Sequence, residues 1–471
     1  MQLPYRGSGK VYFSAKEYRC DLYYSEKLGG IILKINTIDE NTIGSFLQLP
    51  LEISCLSGEL DSGFKFTLLE LMRTGMQNLI PYGRSVYTFS ANYLLAGIGL
   101  DDQPTPTFNK VQYTLSNIVE WGNESAYTIG ENYELIYKPE DVQKLIYSGQ
   151  EVTITYLVRG TILPIVDQDI LKEKISLEQN GIVEIHSKCE EPLHYFNNIF
   201  ERLKRLIEIA SFRKVNVEKV YAYSSNILYT IGDKTIERAI DIYGIDILEN
   251  KVDENPPSHP WKWIALQELI DYNSIALYFE KHDKLAPIIE LFLEPFYMDN
   301  CSETRVFLNI VQALETYHSR FVTNSLDDYK LRVKNLIESL PASNAKQQRK
   351  FLLAKSKYFI TLESRMADLL LANHKIYFDT GEIKHIDFPS VVAHTRNYYI
   401  HYDESIKVKH RVFSEEELQF YNRSLLQILE YYILLELGFS ETDVGLKKRL
   451  IDRWGNVSQD LEILRISRTQ Q

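Results

Sequence analysis

Cysteine is scarce in this chain. Four residues in 471, Cys20, Cys55, Cys189 and Cys301, stand far apart with no Cys-x-x-Cys pair. That argues against a zinc module or a disulfide framework and fits a reducing compartment. Long apolar runs are missing too. The most hydrophobic stretch, Leu425 to Phe439, is interrupted by Glu430 and Glu436, short of the roughly 18 uninterrupted apolar residues a membrane span needs. The first ten residues lack an apolar signal core, so a cytoplasmic protein is expected. Positive charge is in deficit, with 52 Lys and Arg against 64 Asp and Glu. A basic protein that coats nucleic acid is thereby disfavoured.

Chemical motifs are few. Arg6-Gly-Ser-Gly-Lys10 has Pro4 where a phosphate loop needs its first Gly and Val11 where it needs a hydroxyl residue. Gly97-Ile-Gly99 lacks a third Gly, which leaves a dinucleotide site unsupported. His374, His385 and His394 are too widely spaced for the tight ligand pairs of a metal site. Neither a metal nor a cofactor is expected.

Aromatic residues are plentiful, with 32 Tyr and 21 Phe, and in the first half they fall in short runs of strand character. Tyr18–Tyr24 and Ile31–Asn36 flank a Gly-Gly turn, a hairpin signal. Similar runs lie at 11–15, 63–68, 85–89, 111–115, 133–137, 151–156 and 181–185. Their spacing predicts an antiparallel sandwich or barrel rather than βαβ units. One helical period appears there, at 191–211, with Phe196, Phe200, Leu203 and Leu206 on one face.

Asp253-Glu-Asn-Pro-Pro-Ser-His-Pro260 breaks the pattern, since three prolines in a polar octapeptide exclude helix or central strand. Beyond it the period becomes 3.6, with helices expected at 262–281, 304–322, 328–339, 344–373, 388–402, 415–437 and 442–453. Ser414-Glu-Glu-Glu417 reads as a capping box and Gly438 as a helix stop. The expected architecture is α+β: a β-rich domain over 1–252, a linker over 253–260 and an all-α bundle over 261–471. Charge divides at the same place. Residues from 256 on carry 27 basic against 29 acidic groups, leaving 25 against 35 in the first 255. Within the bundle Lys346, Arg349 and Lys350 lie in a stretch without acids, from 339 to 362. It reads as a solvated face or as a strip that follows RNA phosphates.

The segment that carries chemistry is Thr395-Arg-Asn-Tyr-Tyr-Ile-His-Tyr402. On a helix Asn397 and His401 share a face, and Arg396 lies about 7.5 Å from His401 along the axis. An imidazole can move protons near neutrality, and a guanidinium fork can stabilise the charge of a phosphorane without a metal. Asn397 can orient either, and Glu315 could hold the arginine or the histidine tautomer. Tyr398 and Tyr399 could stack on bases.

This segment resembles the Arg-x4-6-His motif of HEPN domains, all-α bundles that include many metal-independent endoribonucleases. Arg396-Asn-Tyr-Tyr-Ile-His-Tyr-Asp403 is similar to the Arg-Asn-x3-His-Tyr signature of the ApeA-like HEPN group, and Ala313-Leu-Glu-Thr-Tyr-His318 to that group's opening helix. The Tyr18–Tyr24 strand with its Gly-Gly hairpin, and Phe108 to Trp121, resemble the ApeA N-terminal domain. The resemblance runs in order along nearly the whole chain. It implies an anti-phage, abortive-infection ribonuclease acting on host RNA, tRNA being the favoured case, at a site shared by two copies. It further implies Arg396 and His401 as catalytic, Asn397 and Glu315 as supporting, and a phage-derived trigger acting on the β-rich domain. The alternatives are a non-catalytic HEPN binding module and the toxin of a toxin–antitoxin pair.

Overall fold

The computed structural model of the protein describes residues 6–14, 16–25, 30–38, 49–79, 84–99, 105–137, 142–163, 176–231, 234–244, 259–298, 300–338, 359–371, 378–440 and 444–469. They form two compact units, Met1–Glu201 with Val215–Pro257 and Arg202–Lys214 with Ser258–Gln471.

The first unit is antiparallel β. Strands β1 (Gly7–Phe13), β2 (Lys16–Ser25), β3 (Gly30–Ile38), β4 (Glu52–Leu60), β5 (Lys65–Leu79) and β6 (Arg84–Ala96) pair in the ring order β6-β3-β2-β1-β4-β5, and β5 pairs back onto β6. The result is a six-stranded closed barrel. The anticipated hairpin is β2–β3, with Tyr24 opposite Ile31. Alternation sends Ile31, Leu33 and Ile35 into the barrel core with Val11, Leu22, Phe66, Leu68 and Phe89. Where β1 crosses β4, a Cβ on Gly58 would lie 2.5 Å from the Lys10 carbonyl oxygen, so only glycine permits the approach. Strand β6 serves two neighbours on one edge. Its residues 84–91 face β3, and its residues 93–96 face β16.

From β6 the sheet continues outside the barrel through β16 (Ile240–Gly244), β13 (Val217–Tyr223), β7 (Thr107–Leu115), β12 (Ser176–Pro192), β11 (Val152–Leu163) and β10 (Gln143–Ser148). Two short ribbons, β8–β9 (Tyr127–Ile129 and Leu135–Tyr137) and β14–β15 (Leu228–Ile231 and Lys234–Glu237), complete the described strands. A short α1 (Ile118–Gly122) buries Trp121. Helix α2 (Leu193–Ser211) lies where its period placed it. Its Phe200 ring stacks on Tyr113 at 3.8 Å, while residues 202–214 group with the helical unit.

The second unit is helical: α3 (Leu266–Asp271), α4 (Ser274–Tyr297), α5 (Glu303–Tyr317), α6 (Leu326–Glu338), α7 (Leu362–Leu371), α8 (Phe388–His401), α9 (Glu404–Lys409), α10 (Glu415–Glu436), α11 (Val444–Trp454) and α12 (Val457–Thr469). The axis is α10, buried on every side from Leu425 to Leu434. Its capping box is present, with the Glu417 N–H donating to Ser414 Oγ at 3.3 Å and the Ser414 N–H donating to Glu417 Oε2 at 2.8 Å. Gly438 closes it at φ +92°.

Three helix expectations need correction. The 262–281 segment is broken by Asn273 at φ +54°, so a short α3 precedes a long α4. The 304–322 helix changes at Tyr317 into one π turn, His318–Val322. The 344–373 helix is not helical over residues 359–361 and runs from Leu362 to Leu371, residues 339–358 and 372–377 lying outside the described residues. Helices α9 and α12 had no counterpart in the sequence reading.

Candidate active site

Helix α8 opens with Pro389 in its first turn, where a missing N–H costs nothing. Its apolar residues Phe388, Val391, Val392, Thr395, Tyr398 and Tyr399 form the buried face. Polar bonds fix the rotation of that face. Thr395 Oγ1 accepts from the Phe413 N–H at 3.0 Å, and the Tyr399 hydroxyl donates to the Phe413 carbonyl at 3.2 Å. The Tyr398 hydroxyl donates to Glu404 at 2.9 Å. Both tyrosines are therefore core residues, each 6 % exposed, which corrects the expectation that they could stack on bases. Tyr402, 64 % exposed, is the aromatic ring open to solvent in this segment.

What remains for the outer face is Arg396, Asn397, Ile400 and His401. At 100° per residue Arg396 and Ile400 are neighbours, Asn397 and His401 make the adjacent stripe, and His401 lies about 140° round the axis from Arg396. His401 is the last helical residue and is exposed. The chain reverses just after it, with Tyr402 at φ +50°. Asp403 then caps α9, accepting from the Ser405 N–H at 2.9 Å. Bonds from the Ser405 side chain and N–H hold the Asp403 carboxyl below the usual range, with a smaller contribution from His401. A carboxylate thus stands beside the imidazole. Arg396 makes one long contact, 3.4 Å to Asn397 Oδ1.

Arg396 and Ile400 border a cleft of about 590 Å³, within the size range of small-ligand sites. Its floor is a stripe of α5 and the turn after it, comprising Leu308, Gln312, Glu315, Thr316 and Ser319, and its far wall includes Arg365 of α7. Arg396 and Glu315 are thus brought to one cleft. His401 and Asn397 are not among its lining residues.

Behind the cleft lies a charged chain that sequence reasoning missed. Arg365, only 8 % exposed, donates from Nη1 to His318 Nδ1 at 3.0 Å and to the Thr323 carbonyl at 3.3 Å, and from Nη2 to Asn324 at 3.0 Å. A guanidinium only donates, so Nδ1 is the acceptor and the imidazole proton sits on Nε2. That atom lies 2.8 Å from Asp368 Oδ2. Arg332 Nε donates to both Asp368 oxygens at 3.1 Å. Burial pulls the Arg365 guanidinium down, opposed by the Glu315 charge. The available signal was Arg365 and Asp368, two opposite charges three apart in a helix whose remaining residues, Glu363 and Ser364 aside, are apolar.

Lys346, Arg349, Lys350 and His374 lie outside the described residues. Among the described residues no cluster of three or more His, Cys, Asp or Glu could hold a metal, and no helix is long and apolar enough to cross a membrane.

The fold and the cleft define a class: a β-barrel-and-sheet unit joined to a helical bundle that presents an arginine and a histidine from the end of one helix. Comparison with known families makes it specific. The family model for ApeA N-terminal domain 1 matches residues 7–280, and that for Apea-like HEPN matches residues 308–443. The first match alone spans more than half of the chain, which belongs to the family joining these two domains in this order. No curated protein and no solved structure matches. Membership is consistent with an anti-phage HEPN effector, and the HEPN domain suggests nuclease chemistry in general.

Proposed function

We propose that this protein is a metal-independent endoribonuclease of anti-phage defence, cleaving host RNA, with tRNA the favoured class, at a site assembled from two copies. The observation that carries the reading is the placement of Arg396 and His401 on the outward face of α8, clear of the core. The reaction needs a base and an acid at one phosphate. His401 of one copy takes the proton of the ribose 2′-OH, the 2′-oxygen bonds to phosphorus, and the P–O5′ bond breaks. The partner's His401 gives a proton to the departing 5′-oxygen. Arg396 faces the negative charge that builds on the phosphoryl oxygens. With one motif imidazole per chain, the base and the acid in this reading come from two copies. Ile400 and Tyr402, 43 % and 64 % exposed, supply apolar surface beside His401 for a second copy.

The β-rich domain, 1–252 in our division, is assigned the sensing role. Its eight excess acidic groups repel RNA and hold the site quiet until a phage-derived cue arrives. The test is cleavage with full activity in EDTA, leaving 2′,3′-cyclic phosphate and 5′-OH ends. An absolute divalent-metal requirement, or 5′-phosphate products, would refute the mechanism.

A further inference from the structure

We infer that the cleft between α5, α7 and α8 is a second phosphate subsite on the RNA strand, beside the scissile position, with Arg365 as its fixed cation. The inference rests on the ribonuclease reading above and adds a binding residue to it.

The argument starts from what the buried chain does to Arg365. A lone arginine side chain has many rotamers. This one is held through His318, itself fully buried, by Asp368, and Asp368 is held by Arg332. The Nη donors are turned inward to His318, Thr323 and Asn324. The Nε–H is buried and finds no hydrogen-bond partner among the described residues. Arg365 also lines the cleft, so its positive charge lies along that space while its donors are engaged or buried behind it.

The rest of the cleft suits a phosphodiester. Arg396 is a second permanent cation on the opposite wall, so two guanidiniums stand against the single carboxylate of Glu315. Ser319 adds a hydroxyl on the floor. Arg396 also belongs to the proposed reaction centre, so a strand with its scissile phosphate near His401 passes its neighbouring phosphate over this cleft. A rigid donor loses little freedom on binding, and the His318–Asp368 pair is what makes Arg365 rigid.

The probe is a 2′-O-methyl oligoribonucleotide, which the proposed chemistry cannot cut, bound to the full-length protein over a range of salt. Ser319→Glu puts a negative charge in the cleft without touching the Arg365 bonds. Arg365→Gln removes the cation while keeping a donor for His318. Both are expected to raise Kd at least tenfold, and Arg365→Gln to lower the salt slope by about 0.7, the share of one phosphate contact on a single strand. If Arg365→Gln does not fold, Ser319→Glu decides alone. Unchanged Kd in folded Ser319→Glu overturns the subsite. AMP binding that the variants weaken, with oligonucleotide binding unchanged, also overturns it, in favour of a free nucleotide. Failure of the ribonuclease reading is separate: it shows as undiminished RNA cleavage by His401→Ala, whatever the binding result.

Discussion

At the scale of single residues, the proposed reaction divides the site into groups that would act on phosphate and groups that would hold them. His401 is free of the core and ends a helix, whereas Arg396 turns toward a cleft shared with Glu315. If His401 moves the protons, His401→Ala lowers turnover by about 10²–10⁴-fold while the oligomeric state in sedimentation is unchanged. Arg396→Lys keeps the charge and loses the planar fork. It is expected to lose about 10²-fold in turnover, the loss typical of one stabilising donor, in a single-turnover assay. Asn397→Ala should cost much less than either, because among the described residues its amide's one contact is the long one with Arg396.

At the scale of elements, α8 is aimed by its neighbours, and the start of α12 is capped by a carboxylate from outside it. Asp379 accepts from the Ser458 N–H at 2.7 Å and the Gly381 N–H at 3.0 Å, and Ser458 also donates its hydroxyl. Burial pushes the Asp379 carboxyl up, but these bonds outweigh it and bring the group below its usual value. A carboxyl depressed on folding stabilises the native state above its unfolded pKa of about 3.9 and loses that contribution as pH falls through its folded value. Protection factors for hydrogen exchange over 457–469 should therefore be flat from neutrality to about pH 4 and fall below it. Asp379→Asn should show the faster exchange already at pH 7, with a loss of roughly 1 kcal/mol typical of a helix cap.

At the scale of the whole molecule, the helical unit closes on a buried ion pair. Arg453 Nε lies 2.6 Å from Glu430 Oε1, and both side chains are fully inaccessible. Burial raises the Glu430 carboxyl and lowers the Arg453 guanidinium, so each needs the other. Arg453 further donates to the carbonyls of Ile209 and Lys262, and Trp454 donates to Glu430. Arg453→Met leaves a buried carboxylate alone and is expected to cost about 3–5 kcal/mol in urea unfolding. The Ile209 bond, the Phe212–Trp454 ring contact and the Ile264 N–H bond to the Ala210 carbonyl all depend on residues 202–214. A fragment starting at Pro260 should thus melt well below one starting at Leu193. The Leu193 fragment also tests restraint by the β domain, since it should cut RNA faster than the intact chain.

Local signals reached the elements that carry their own chemistry. The β2–β3 hairpin was written in a Gly-Gly turn between strand-forming runs, α2 and α8 in their period, and the start of α10 in Ser414 and Glu417. The Arg396/His401 pair was visible because it sits on five consecutive steps of one helix. What stayed hidden depends on contacts between distant residues. Closure of the barrel requires β5 to meet β6 along its whole length while β6 divides its other edge between β3 and β16, and no local propensity encodes that. Arg365 reads in sequence as one of three charges, with Glu363 and Asp368, on a short helix. Its partner His318 is 47 residues away, on a turn whose π geometry a 3.6 period does not announce.

The sequence by itself determined the class of each half, which follows from composition, period and spacing, and the family, which its motifs resemble. Only the tertiary structure decided that Tyr398 and Tyr399 are core, that Arg396 shares a cleft with Glu315, and that Arg365 is locked behind it. Burial and side-chain partners are properties of packed helices, set by which faces meet.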